Sequence, residues 1–315
     1  MYYPFLRGKQ HELFSLRDLN DSGLLNENIL PIIEPVKYSQ QLVNTLNNLL
    51  NSNRHVIVVL NPQVGTFLDD LIENEDQFEM MLEIMSHPYA IVGYHLNSEI
   101  ALEELPRIAE RCGGGLENVA IFHHNDLRNL VIYDQLFDGF EAQFNFIPDE
   151  TPYRRRFAHN NGVVLKDSFV RRTPNAEYLN FEDEWYSSEH MYYEQEGFLG
   201  FADYSIVGEE YVENGFGAKA VAIHVLYLDN ENHLRIRHFV SDSNENRADQ
   251  AGKFGEALTK LIAWYEEIDS QRIDTQGLDE LRACYANGNF PGLGMLKRYA
   301  LKHHLELVGN IFVTV

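Results

Sequence analysis

The chain has 315 residues, with 48 acidic against 25 basic side chains and a formal charge of −23. Spread over the roughly 13,000 Å² that a folded monomer of this mass exposes, this excess opposes non-specific binding to nucleic acid, whose phosphates attract the opposite sign. An apolar fraction of 44% and an aromatic fraction of 12% supply a sizeable core, which excludes disorder for most of the chain.

The opening MYYPFLRGKQHELFSLRDL lacks the apolar core of a secretory signal. No segment reaches the ~18 uninterrupted apolar residues of a membrane span, so a cytoplasmic protein is expected. Six apolar, β-branched runs follow: ILPIIEPVK (29–37), HVIVVLNP (55–62), YAIVGYHLN (89–97), NVAIFHHND (118–126), AQFNFIPD (142–149) and GVVLKDSF (162–169). Each reads as a buried strand. Between the first five lie helical patterns: SQQLVNTLNNLLNS, DQFEMMLEIMSH, ALEELPRIAERCGGG and DLRNLVIYDQLFDG. Strand then helix, repeated, implies a parallel sheet with right-handed crossovers. It closes as a TIM-barrel-like (β/α)8 fold or, alternatively, stays open as a doubly wound sheet. The GGG at 113–115 follows a helix, so it is a helix-ending turn and not a dinucleotide fingerprint.

Residues 174–197 are polar and aromatic without a period and suit an excursion over the barrel mouth. FLGFADYSIVG (198–208) reads as a seventh strand, and 218–242 as a hairpin turning at Asp229–Asn232, an insertion into the plain barrel. The rest is helical, over 249–268, 278–288 and 294–312, and the whole reads as a single barrel-like domain. Cys112 and Cys284 stand 172 residues apart with no metal spacing around them and are expected to be unpaired.

In α/β barrels the reactive groups project from the C-terminal strand ends. Those ends supply Glu34, Asn61, His95, His123 with His124 and Asp126, Asn145 with Asp149, Lys166 with Asp167, Asp203 and His224. Glu34 stands out because it interrupts an apolar run, where a carboxylate needs a partner or a cavity; an ion pair with Lys37 is the structural alternative. Of His123 and His124 only one can face the interior. With His95 it would bring two imidazoles beside Glu34 or Asp203, as acid, base or metal ligands. Arg154, Arg155, Arg156, Lys166, Arg171 and Arg172 against Asp167 put a local +5 inside a protein of −23, which suggests an anion site or a loop neutralised by the acids of 182–196.

YPFLRGKQHELFSLRDL, PIIEPVK, GFADYSIVG, HLRIRHFVSDS and NFPGLGMLKRYALKHHLEL together resemble the beta-protein family of phage, prophage and bacterial proteins, over nearly the whole chain. The resemblance implies an α/β barrel associated with mobile elements or anti-phage defence. It brings no catalytic residues or cofactor, and only nominates Arg7, Glu34, Lys37, Asp203, His238 and Gly292 in the matching segments.

The resulting expectation is a barrel whose mouth binds or processes a phosphorylated small molecule or nucleotide, by hydrolysis for instance. Glu34, His95, His123 and Asp203 carry the chemistry, with Arg7, Lys37, Asn61, Asn145, Lys166, Arg171, His224 and His238 as binding residues. The alternative is an inert barrel that binds a protein encoded in the same operon through Trp185, Tyr186, Tyr192 and Tyr193.

Overall fold

The computed structural model describes residues 1–213, 219–268 and 273–312; residue 218, first of the expected hairpin stretch, lies outside them. The chain forms two compact units. The first comprises Met1–Leu13, Glu27–Lys166 and Glu189–Tyr204, and the second Phe14–Asn26, Asp167–Ser188 and Ser205–Val315.

The first unit is a closed barrel of eight parallel strands: β1 (Tyr2–Leu6), β2 (Ile32–Ile33), β3 (Val56–Val59), β4 (Ala90–Leu96), β5 (Val119–His123), β6 (Phe144–Ile147), β7 (Gly162–Lys166) and β9 (Gly200–Asp203). β1 closes the ring by pairing with β2 at Phe5↔Ile32 and with β9 at Tyr3↔Ala202. The (β/α)8 reading therefore holds and the open sheet does not. The pattern reading has seven strands; the eighth is YYPFL. Its Pro4 argues against a central strand because proline gives no N–H to the ladder. The neighbouring Tyr2 N–H donates to Asn28 O on the β2 side, and the same strand parity places the missing donor of Pro4 there, beside a two-residue strand.

Helices fill the crossovers: α1 (Gln10–Asp21), α2 (Gln40–Asn51), α3 (Phe67–Glu73), α4 (Glu75–Met85), α5 (Ala101–Arg111), α6 (Arg128–Leu136) and α7 (Thr151–Phe157). α2 shows the local logic. Ser39 caps it by accepting from Leu42 N–H, and Leu42, Val43, Leu46, Leu49 and Leu50 are buried at helical spacing.

Inside the barrel, alternate residues of each strand interlock: Tyr3, Phe5, Ile32, Ile57, Val59, Ile91, Ala120, Phe122, Phe146, Val163 and Ala202. Phe122 stacks on Phe146 (4.7 Å, 8°) and meets the edge of Phe5 (5.5 Å, 87°). Gly93 makes this possible. A methyl group there would lie 3.0 Å from Ile57 Cγ2 and 3.1 Å from Phe122 Cε2.

The second unit is built on an antiparallel sheet ordered β10 (Ala222–Leu228), β11 (Leu234–Val240), β8 (Asp183–Ser187), with α9 (Gln250–Glu267), α10 (Gln276–Asn287) and α11 (Leu293–Ile311). The expected hairpin is β10–β11, with His224 opposite His238. The stretch read as featureless contains β8 and a short helix, α8 (Glu189–Tyr192). β8 is hard to read because two of its five residues are acidic; Asp183 and Glu184 are held by Arg235 and Arg172 from other segments. Both cysteines are free and buried. Among the described residues no helix is long and apolar enough to cross a membrane.

Candidate functional site

The inward parity that places Phe5, Ile32, Ile91 and Phe122 in the barrel core is kept by Arg7, Glu34 and His124, two residues on, and by His95, four residues on, at the C-terminal ends of β1, β2, β5 and β4. Four polar side chains thus crown the aromatic layer at the C-terminal end, where barrels carry their chemistry.

Glu34, fully buried, is the hub. Its carboxylate pairs with the Arg7 guanidinium, accepts the Gln63 backbone N–H at 2.8 Å and lies 3.1 Å from His95 Nε2. The ion pair of Glu34 is with Arg7 and not with Lys37, which is exposed at the rim and has no ion pair among the described residues. Arg7 is fixed in turn. Its backbone N–H donates to Glu12 in the first turn of α1, and its guanidinium lies over the rings of Phe5 (5.2 Å) and Tyr204 (5.5 Å). Gly65 allows the Gln63 loop to approach. With φ +81 its α-carbon faces Val36, whose carbonyl oxygen would be 1.9 Å from any Cβ.

His95 Nδ1 lies 3.1 Å from His124 Nε2. Burial, helped by the positive Arg7, pulls His95 down to about 3, and burial with the neighbouring His95 pulls His124 down to about 4, so both are neutral at pH 7. The protons then follow from chemistry. A carboxylate only accepts, so His95 carries its proton on Nε2 and its Nδ1 accepts from His124 Nε2–H. His124 Nδ1 is left with its lone pair and no hydrogen-bond partner among the described residues. Asn61 positions His95. Its side chain accepts from the His95 backbone N–H (2.7 Å) and donates to the carbonyl (2.9 Å), extending the β3–β4 ladder.

The histidine expected inside was His123, and strand parity reverses the two. His123 points outward, packs against Tyr133, Tyr153 and Phe157 and lies 3.1 Å from Asn145 Oδ1. Asn145 and Asp203 also face outward, Asp203 accepting from Tyr2 OH at 2.7 Å. Lys166 pairs with Asp149 (2.9 Å) and Glu189 (3.7 Å). Carboxylates meet the crowded positive charge of 154–172 except at Arg155: Arg154 pairs with Asp149, Arg156 with Glu141, Arg171 with Glu210 and Arg172 with Glu184, while Arg155 is exposed and has no ion pair among the described residues. Arg171, His224 and His238 belong to the second unit. His124 carries a signal in its parity with Phe122; two adjacent histidines hide which is which until the register is known.

Both ring nitrogens of His95 are engaged, by Glu34 and His124. Among the described residues no group of three or more His, Cys, Asp or Glu could hold a metal ion. Comparison with models of known protein families, with curated proteins and with solved structures found no match.

Proposed function

We propose that the barrel is an acid–base enzyme that takes a phosphorylated small molecule, a nucleotide or sugar phosphate, at its mouth, in the phage or anti-phage setting that the beta-protein resemblance implies. The observation that carries this is the Glu34–His95–His124 chain, which ends in a neutral imidazole with a lone pair uncommitted among the described residues. His124 accepts a proton from the substrate at Nδ1 and passes its Nε2 proton to His95, and the charge comes to rest against Glu34. Arg7 and Asn61 position this chain. Lys37, the rim cation with no ion pair among the described residues, meets the phosphate.

The test is a calorimetric panel of nucleotides and sugar phosphates on the wild type and on His124→Ala and Lys37→Ala. A panel member should bind the wild type, bind Lys37→Ala at least roughly tenfold more weakly, and be turned over only where His124 is present. No binder, or binding and turnover indifferent to both changes, overturns the reading.

A second reading, an inert partner-binding barrel, is favoured by one observation. The α3–α5 face of the first unit has a groove of about 800 Å³ lined by Leu68, Leu71, Ile72, Phe78, Met81 and Ile108. Ile72 is 82% exposed. Of the aromatic residues expected to form such a surface, Trp185 and Tyr192 are exposed, whereas Tyr186 and Tyr193 are buried. Ile72→Glu leaves ligand binding unchanged if the first reading is right.

A further inference from the structure

The three-stranded sheet of the second unit repeats the order of groups found at the barrel mouth. Arg172 holds Glu184 with two parallel bonds, Nη1 to Oε2 at 2.7 Å and Nη2 to Oε1 at 2.8 Å. Glu184 Oε2 lies 3.1 Å from His238 Nε2, and His238 Nδ1 lies 2.7 Å from His224 Nδ1. Phe169 and Tyr178 wall the pair, with Tyr178 4.7 Å from the His224 ring and 4.6 Å from that of His238. Arg172 is itself placed by its backbone N–H on Tyr178 OH and by the face of Phe181 at 3.8 Å.

The geometry allows one arrangement of protons in the neutral pair. Two Nδ1 atoms 2.7 Å apart share a single proton. The carboxylate takes the Nε2 proton of His238, so His238 Nδ1 accepts and His224 Nδ1 donates. His224 is left with a lone pair on Nε2, which meets no partner among the described residues, and the residue as a whole is only partly buried. An Arg–Glu–His chain, partly buried at Arg172 and Glu184 and buried at His238, behind one ring nitrogen is more than the sheet needs for packing; a Phe or Leu pair would fill the space without desolvating charge.

We propose that this is a second reactive site, in which His224 Nε2 is a nucleophile toward activated acyl donors and His238 and Glu184 are positioning residues. Attack forms the bond from Nε2 to the carbonyl carbon while the carbon–oxygen bond to the leaving group breaks, and the electron pair departs with that oxygen. The Nδ1 proton of His224 passes to Nδ1 of His238, and the new imidazolium is held against Glu184. Water then releases the acyl group from His224, and the proton returns.

Diethyl pyrocarbonate, an activated acyl donor, is the probe, with labelling rates read histidine by histidine from peptide masses at pH 7. His159, which is exposed, is the reference, and His303, fully buried in the second unit, reports that the unit stays folded. His224 should label faster than His159. Glu184→Gln should slow His224 roughly ten- to a hundredfold, the range of a charge-assisted hydrogen bond, with His159 unchanged and His303 protected. Labelling of His224 no faster than His159, or unaltered in Glu184→Gln, overturns the proposal. Should the variant expose His303, the wild type decides by itself: long-range ¹⁵N NMR must find His224 protonated on Nδ1, and a proton on Nε2 refutes the site.

Discussion

Glu34→Ala is the sharpest perturbation of the barrel mouth. It removes the acceptor of the Gln63 N–H and the carboxylate beside His95, and it strands Arg7, whose side chain is 10% exposed. Removing one member of a buried pair costs about 3–5 kcal/mol, because an uncompensated charge stays behind. That is a large part of the about 5–15 kcal/mol by which domains are stable. Glu34→Leu combined with Arg7→Met removes both charges, and the same reasoning expects it to recover most of the loss. Urea unfolding measures this. Both tryptophans, Trp185 and Trp264, lie in the second unit, so the barrel must be followed by far-UV circular dichroism and by amide exchange in β2 and β3. A single-variant cost below about 1 kcal/mol, or a double variant no better than Glu34→Ala, would refute the claim that a desolvated ion pair anchors the mouth.

Acid should destabilise the protein early. The folded state holds His95 and His123 at about 3 and His303 at about 4, so the unfolded chain binds their protons first. Their stabilisation is complete above the unfolded value near 6.5 and drains by about 1.4 kcal/mol per pH unit per group below it. Urea midpoints should be level above pH 7 and fall from pH 6.5 towards 4; level midpoints down to pH 4.5 would contradict this. Phe122→Ala empties the place stacked on Phe146 and should cost about 3–5 kcal/mol, read by the same urea titration. Gly65→Ala forces a side chain onto Val36 and should cost at least about 2 kcal/mol, with faster amide exchange at Gln63; a neutral substitution would show that the loop can move aside.

The barrel was readable because ILPIIEPVK, HVIVVLNP and their successors are continuous apolar runs, the signature of strands buried on both faces. Glu34 was readable for the complementary reason, a charge where only apolar residues belong. What escaped was long-range. That Arg7, and not Lys37, faces Glu34 depends on YYPFL being the strand beside PIIEPVK, and Pro4 masks that strand. The choice between His123 and His124 turns on a single residue of register, which flips a side chain from core to exterior. Of the two readings of the basic cluster, the ion pairs fit the neutralised loop: Glu184, Glu189 and Glu196 of 182–196 pair with Arg172, Lys166 and Arg154, while Glu141 and Glu210, which pair with Arg156 and Arg171, lie outside that stretch. Sequence proximity shows like charges crowding together and hides the carboxylates that the fold brings to them.

The central claim is that a proton taken up at the barrel mouth lands on His124 and is backed by His95 and Glu34. Long-range ¹⁵N–¹H correlation of the imidazole rings at pH 7 tests it directly. Both rings should be neutral, each carrying its proton on Nε2, with Nδ1 of His124 unprotonated. A proton on Nδ1 of His124, or an imidazolium at either position, would contradict the account.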